Sequence, residues 1–156
     1  MFRPMRRSKQ QLDPAACEQI LRSASRGVLA VAGENGYPYA FPMNYLYQEG
    51  KIYFHSARSG HKLSALSRDP RVSFCVMDQG YKNEGEWALN IASVIVFGQI
   101  HFLEEEGEAE NLLCQIGLKY YPSAAQAEAA AHQGLARVRL MVLEPDYMSG
   151  KLVNES

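Results

Sequence analysis

The sequence predicts an α+β fold, in which helices flank a small antiparallel β-barrel of six strands. Three observations lead to this fold class: six β-like segments along the chain, turn sequences that join the first three segments, and helical patterns around and between them. The length of 156 residues suits a single domain, 1–156, in which residues 1–12 form an N-terminal arm. An apolar share of 47% is enough for one hydrophobic core.

The first three β-like segments predict an antiparallel meander. Glu34-Asn35-Gly36 and Gln48-Glu49-Gly50 separate them as turns. Pro38 and Pro42 lie within the second segment and predict an edge or irregular strand, because proline cannot donate to a ladder. The long fifth segment is expected to bend at Gly98. The predicted strands are 28–32, 37–47, 51–55, 72–76, 87–103 and 136–142.

Helical patterns occupy much of the remaining chain. Asp13-Pro14 indicates a helix start, with an N-cap acceptor followed by proline at the first helical position. A short helix is predicted over 62–68. An acidic helix is expected to begin near Glu104, and an alanine-rich helix follows over 123–132.

Composition and charge exclude several classes of function. The formal net charge of −1 argues against a general nucleic-acid or membrane-surface role. No apolar run approaches the ~20 residues of a membrane-spanning helix, and the basic start of the chain lacks the apolar stretch of a signal peptide. The three cysteines, Cys17, Cys75 and Cys114, have no C-x-x-C spacing and suit reduced thiols, so we expect a cytoplasmic protein without a metal site.

Residues 55–63 concentrate polar side chains between the end of a strand and the start of a helix. The backbone N–H groups and dipole of a helix N-terminus favour anions. Arg58 can bind a phosphate through two hydrogen bonds, Lys62 can add a point charge, and Ser56 and Ser59 can donate hydroxyl hydrogen bonds. The alternative is a polar turn on a solvated surface, and the residues alone favour neither interpretation.

Short motifs follow one another along the chain in a specific order and spacing. They are Tyr37-Pro38-Tyr39, Pro42-Met43-Asn44-Tyr45, His55-Ser56-Ala57 with Gly60 and Lys62, Ser93-Val94-Ile95-Val96-Phe97-Gly98, and Met148-Ser149-Gly150-Lys151. Together they resemble the pyridoxamine-phosphate-oxidase-like FMN-binding split barrels, and within them the Nim-type (5-nitroimidazole resistance) branch. The resemblance implies a six-stranded antiparallel split β-barrel that forms a homodimer, with two FMN molecules in clefts between the subunits.

The resemblance also implies roles for individual residues. Three polar residues would hold the FMN phosphate: Ser56, Arg58 and Lys62. Four residues of the proline-interrupted strand would run beside the isoalloxazine ring and offer backbone groups to it: Pro42, Met43, Asn44 and Tyr45. Ser93 would lie near the flavin, and His55 would lie close to it as the candidate catalytic residue. Branch members often carry an aromatic residue where this chain has Ala92, so the resemblance does not support a flavin or substrate contact at that position.

The resulting hypothesis is an FMN-dependent oxidoreductase that reduces a small organic compound, such as a nitro-aromatic, with NAD(P)H as a candidate electron donor. Two alternatives stay open: a flavin-binding or storage protein without turnover, and a haem-binding protein of the same fold with an axial histidine. Trp87 also has two interpretations, stacking on a flavin or packing in the core or dimer interface. The residues that bind pyridoxal phosphate in true pyridoxamine-phosphate oxidases cannot be identified, so that substrate is not assigned.

Overall fold

The computed structural model describes residues 1–156 and consists of one antiparallel sheet and four helices. The seven strands are β1 Gly27–Ala32, β2 Pro38–Met43, β3 Leu46–Gln48, β4 Lys51–Ala57, β5 Arg71–Met77, β6 Asn90–Leu103 and β7 Val138–Asn154. The helices are α1 Pro14–Ser23, α2 His61–Arg68, α3 Glu106–Tyr120 and α4 Ala124–Gly134. The predicted α+β class is confirmed.

The sheet curls around a single core. Its strand order is β2-β1-β5-β6-β7-β4-β3, and all neighbouring strands are antiparallel. One cluster of 21 buried residues contains side chains from all seven strands and from α1 and α2. At its centre the Phe74 ring meets the rings of Tyr45 and Phe54 edge-on, with centroids 5.0 and 5.1 Å apart. The strands therefore enclose one interior, as a barrel does.

The curled sheet is open along one line. Its two edge strands, β2 and β3, are consecutive in the chain, are joined by Asn44 and Tyr45 alone, and do not pair with each other. We call this opening the split. The six-strand prediction is therefore wrong: the segment 37–47 forms two strands, because the chain leaves one edge of the sheet at Asn44 and joins the opposite edge at Leu46. Pro42 lies on an edge strand, as predicted.

The two longest strands bend together. The register between β6 and β7 shifts after Phe97, where Asp146 has no partner in β6. A Cβ atom at Gly98 would overlap the backbone oxygen of Glu144, so glycine allows the close approach of the strands at this bulge. The bend predicted at Gly98 is confirmed. β7 runs on beyond its predicted end at 142, because the residues after the bulge pair with the first half of β6.

The helix N-termini differ in whether a side chain caps them. Side chains cap α1, α3 and α4, where Asp13, Glu105 and Ser123 each accept a hydrogen bond from a backbone N–H of the first turn. The N-cap of α2 is Gly60, which has φ 135° and no side chain, so the first N–H groups of α2 have no side-chain acceptor. None of the helices combines the length and apolar character needed to cross a bilayer.

Candidate functional site

The split brings most of the predicted cofactor residues together. β3 covers β4 only as far as Tyr53, so the end of β4, which carries His55 and Ser56, faces the split. Pro42 and Met43 end β2 on the other side. These residues lie far apart in the flat strand order, and the curling of the sheet makes them neighbours.

Helix α2 fixes the two sides of the split relative to each other. It begins soon after β4, and its first two residues reach β2. The His61 ring stacks on Tyr39 with centroids 4.3 Å apart. Lys62 Nζ lies 3.8 Å from Met43 Sδ and 4.7 Å from the centre of the Phe41 ring. The N-terminus of α2 is thereby held at the split.

That N-terminus has the properties of an anion site. Its first N–H groups have no side-chain acceptor, and the helix dipole adds partial positive charge. Lys62, in the first turn, forms no ion pair with a carboxylate. Ser56, only 8% exposed, lies close by at the end of β4. The site therefore offers backbone donors and one cation that has no carboxylate partner.

Arg58 is placed differently from Lys62. Its Nε donates to the carbonyl oxygen of Ala136 at 2.7 Å, and its Nη2 donates to that of Leu135 at 3.4 Å. These carbonyls follow α4, so the guanidinium ties the end of β4 to the start of β7. To bind a phosphate, Arg58 would have to exchange these carbonyls for it, whereas Lys62 is already free.

Tyr45 is a core residue, and its backbone groups are already bonded. Its side chain is fully buried, its hydroxyl donates to the Leu21 carbonyl at 2.6 Å, and burial raises the pKa of its phenol. Its N–H donates to Tyr120 Oη at 2.9 Å, and its carbonyl accepts from Lys119 Nζ at 3.0 Å. The backbone groups of Tyr45, which lies between β2 and β3, therefore form hydrogen bonds with side chains of α3. The backbone of Tyr45 is not free for a ligand in this state.

Lys119 and Tyr120 have no counterpart among the sequence predictions. Lys119 Nζ lies 3.8 Å from the centre of the Tyr45 ring, and desolvation there lowers its pKa to about 8. Tyr120 Oη also donates to the Ser25 carbonyl at 2.7 Å. Nothing in the local sequence marks either residue, because both contacts join positions about 75 residues apart.

His55 carries an unpaired buried atom. Its Nδ1 is buried and has no hydrogen-bond partner. Burial, and then the charge of Lys62, lowers the pKa of the imidazole, so the ring is neutral at neutral pH. Since buried polar atoms in proteins are nearly always bonded, this nitrogen marks a position where a ligand would supply the partner. A flavin, with hydrogen-bonding groups on its ring and a terminal phosphate, fits both this nitrogen and the nearby anion site.

A cleft of about 500 Å³ opens beside the split, beneath α3 and α4. Asn44 and His55 line it where it meets the split. Its volume lies in the range of small-molecule sites. Side chains from separate parts of the chain form the rest of its lining: Leu113, Ile116, Tyr120, Tyr121, Ala127, Ala130, Ala131, Gln133, Arg137 and Val138, with Gly117 and Gly134. No local motif could have predicted it.

Ser93 does not lie at the split. It is on β6 and pairs with Met77 of β5. Two strands separate β6 from β2, which places Ser93 roughly 14 Å from the end of β2 at the usual strand spacing. Ala92 is buried. No group of three or more His, Cys, Asp or Glu side chains is arranged to hold a metal ion.

A curled antiparallel sheet that is open along a split defines the split-barrel class of fold. The sequence matches the family described as pyridoxamine 5'-phosphate oxidase over residues 13–152. This match covers most of the chain, so the protein belongs to that family. The resemblance inferred from the motifs is confirmed.

Solved structures share this fold at low sequence identity. A candidate 5-nitroimidazole antibiotic resistance protein from Bacteroides thetaiotaomicron has 22% identity and a TM-score of 0.78, over 92% of this chain and 87% of that one. A FAD-binding protein from Mesorhizobium loti has 23% identity and a TM-score of 0.66, over 92% and 97%. A FAD- and haem-binding protein from Mycobacterium smegmatis has 19% identity and a TM-score of 0.76, over 94% and 74%. No curated protein gives a significant match.

Proposed function

We propose that this protein is an FMN-dependent oxidoreductase that reduces a small organic compound, such as a nitro-aromatic. The observation that carries the proposal is the buried, unpaired Nδ1 of His55, a residue that lines the cleft of about 500 Å³ and lies near the end of the strand that leads into the uncapped N-terminus of α2. Membership of the family and the flavin-binding neighbours support a flavin cofactor. The nitro-aromatic substrate is supported by the Bacteroides neighbour alone.

The phosphate of FMN would lie at the N-terminus of α2, against Lys62 and Ser56. One uncapped helix N-terminus with one free lysine supports one phosphate, which is why we propose FMN. The FAD-binding neighbours make FAD the comparison ligand. The end of β2, from Pro42 to Asn44, would run beside the ring.

Flavin bound at the split would supply the redox chemistry. The residues of this chain bind and orient. Asn44 Oδ1 accepts from Arg26 Nε at 3.1 Å, which fixes its amide so that the NH₂ group stays available as a donor. His55, neutral, offers one further hydrogen bond at Nδ1. The walls formed by α3 and α4 would cover one side of a substrate in the cleft.

The working unit that we propose is a homodimer. The outer face of the sheet, opposite the core, exposes the large apolar side chains Val28, Met77 and Phe97, which are 42%, 60% and 36% exposed. A second copy seated on this face would cover them and bring its own Ser93 toward the flavin site. Light scattering should give twice the 17.5 kDa mass of one chain. A mass of one chain at micromolar concentration would rule the dimer out.

Turnover is tested on the FMN-loaded protein without oxygen. Addition of NADH or NADPH should bleach the oxidised flavin band, and a nitro-aromatic should restore it. His55→Ala should slow the second step about tenfold, the effect of roughly 1.4 kcal/mol from one lost hydrogen bond. If neither nicotinamide reduces the bound flavin, the enzyme proposal fails and a storage role takes its place.

A further inference from the structure

We propose that the cleft beneath α3 and α4 binds a small aromatic carboxylic acid, and that Arg137 binds its carboxylate. The proposal rests on the proposed function, since it names the substrate class of the same site. It comes from the charge of the cleft lining, the chemistry of its walls, and the positions of Arg137, just before β7, and of His55, on β4.

The lining of the cleft carries a positive charge that no negative charge balances. Arg137 is the one permanently charged residue of its lining, and no acidic side chain lines it. Arg137 forms no ion pair, and its one side-chain hydrogen bond runs from Nη2 to the Gln133 carbonyl at 3.4 Å. Most of its five donors are therefore free. An uncompensated guanidinium beside a cleft attracts a carboxylate, which it can bind through two hydrogen bonds.

Arg139, two residues further along the chain, shows the contrast. Its Nη2 lies 2.8 Å from Glu104 Oε1, and its guanidinium stacks over the Phe102 ring. Its charge is thus neutralised within the protein, and it does not line the cleft. Within the lining of the cleft, Arg137 is the residue that carries an unpaired positive charge.

The walls of the cleft select an apolar body. Leu113 and Ile116 of α3 face Ala127, Ala130 and Ala131 of α4. The small alanine side chains leave the space between the helices and the sheet unfilled. A single cation with apolar walls suits a molecule that has one anionic group and an apolar ring, and disfavours sugars and multiply charged phosphates.

The strand pairing shows how His55 and Arg137 are placed relative to each other. His55 pairs with Leu140, and Arg137 lies three residues before Leu140 in the chain. Arg137 directly precedes Val138, the first residue of β7, and Val138 pairs with Ala57 at the end of β4, two residues beyond His55. Both residues line the cleft, so a para-substituted benzoate bound to Arg137 through its carboxylate would direct its opposite substituent toward His55 and the split.

The test compares two probes of nearly the same shape, 4-nitrobenzoate and its neutral amide, 4-nitrobenzamide. Calorimetry on the FMN-loaded protein should show the acid binding about tenfold more tightly or better, as a charge-assisted pair predicts. Arg137→Gln should bring the two affinities within about twofold and leave FMN affinity unchanged. Arg139→Gln, the matched control, should keep the preference for the acid.

Equal affinity of the two probes for the unsubstituted protein would overturn the proposal, and so would a preference that survives Arg137→Gln. Loss of FMN binding in Arg137→Gln would also overturn it, because Arg137 would then belong to the flavin site. If the unsubstituted protein binds no flavin, the proposed function fails separately. The same calorimetry on the flavin-free protein then decides whether the cleft prefers the acid.

Discussion

Lys62→Ala should weaken FMN binding about 10- to 150-fold and leave riboflavin affinity within about twofold, the range expected for one hydrogen bond to a charged group. Riboflavin lacks the phosphate, so it measures the ring contacts alone. Lys62 is the free cation in the first turn of an uncapped helix. Fluorescence quenching of each flavin on titration with protein gives both affinities.

Two controls sharpen this experiment. Lys82→Ala removes an exposed lysine from the loop between β5 and β6 and should change neither affinity. Arg58→Ala should weaken FMN less than Lys62→Ala, because the Arg58 guanidinium is held by the carbonyls of Leu135 and Ala136. If Lys62→Ala weakens FMN and riboflavin equally, the phosphate does not lie at α2.

Phe74→Ala should lower the free energy of unfolding by about 3–5 kcal/mol, the cost of removing a buried aromatic ring. Phe74 is fully buried and contacts the rings of Tyr45 and Phe54. A Cβ atom at Gly27 would overlap the Phe74 ring, so the packing on that side is also close. Urea denaturation followed by fluorescence and circular dichroism gives the value.

The matched control is Tyr37→Ala, at an aromatic side chain that is 75% exposed. It should change the free energy of unfolding by no more than about 0.5 kcal/mol. Since Tyr45 connects this core to the split, Phe74→Ala is also expected to weaken FMN binding. A loss below about 1 kcal/mol in Phe74→Ala would mean that the core is not organised around this ring.

Much of the fold could be predicted from the sequence because its determinants are local. Asp13-Pro14 starts α1 through a side-chain cap, and the Asp13 Oδ1 atom accepts from the Ala16 N–H at 2.8 Å. Gly98 bends β6 at the one bulge in its pairing with β7. The residues 55–63 form a contiguous strand-to-helix turn, so their place at a helix N-terminus followed from spacing alone.

The residues alone could not locate the split, which was expected only through the family resemblance, because it depends on contacts between distant segments. Pro38 and Pro42 indicate an irregular edge strand, but they do not reveal that the chain crosses to the opposite edge of the sheet. The polar backbone of Tyr45 is stabilised by Lys119 and Tyr120, which are far away in sequence. For the same reason the partners of Arg58 and the cleft beneath α3 and α4 became visible only in the folded chain.

The central claim is that the split binds a flavin, and titration of the cofactor-free protein with FMN tests it most directly. Saturable binding of one FMN per chain, with a perturbed flavin absorption spectrum, is the expected result, and FAD in a parallel titration shows whether the site prefers the shorter cofactor. A protein that takes up neither flavin would contradict the claim, and a Soret band on haem titration would then assign the site to haem instead.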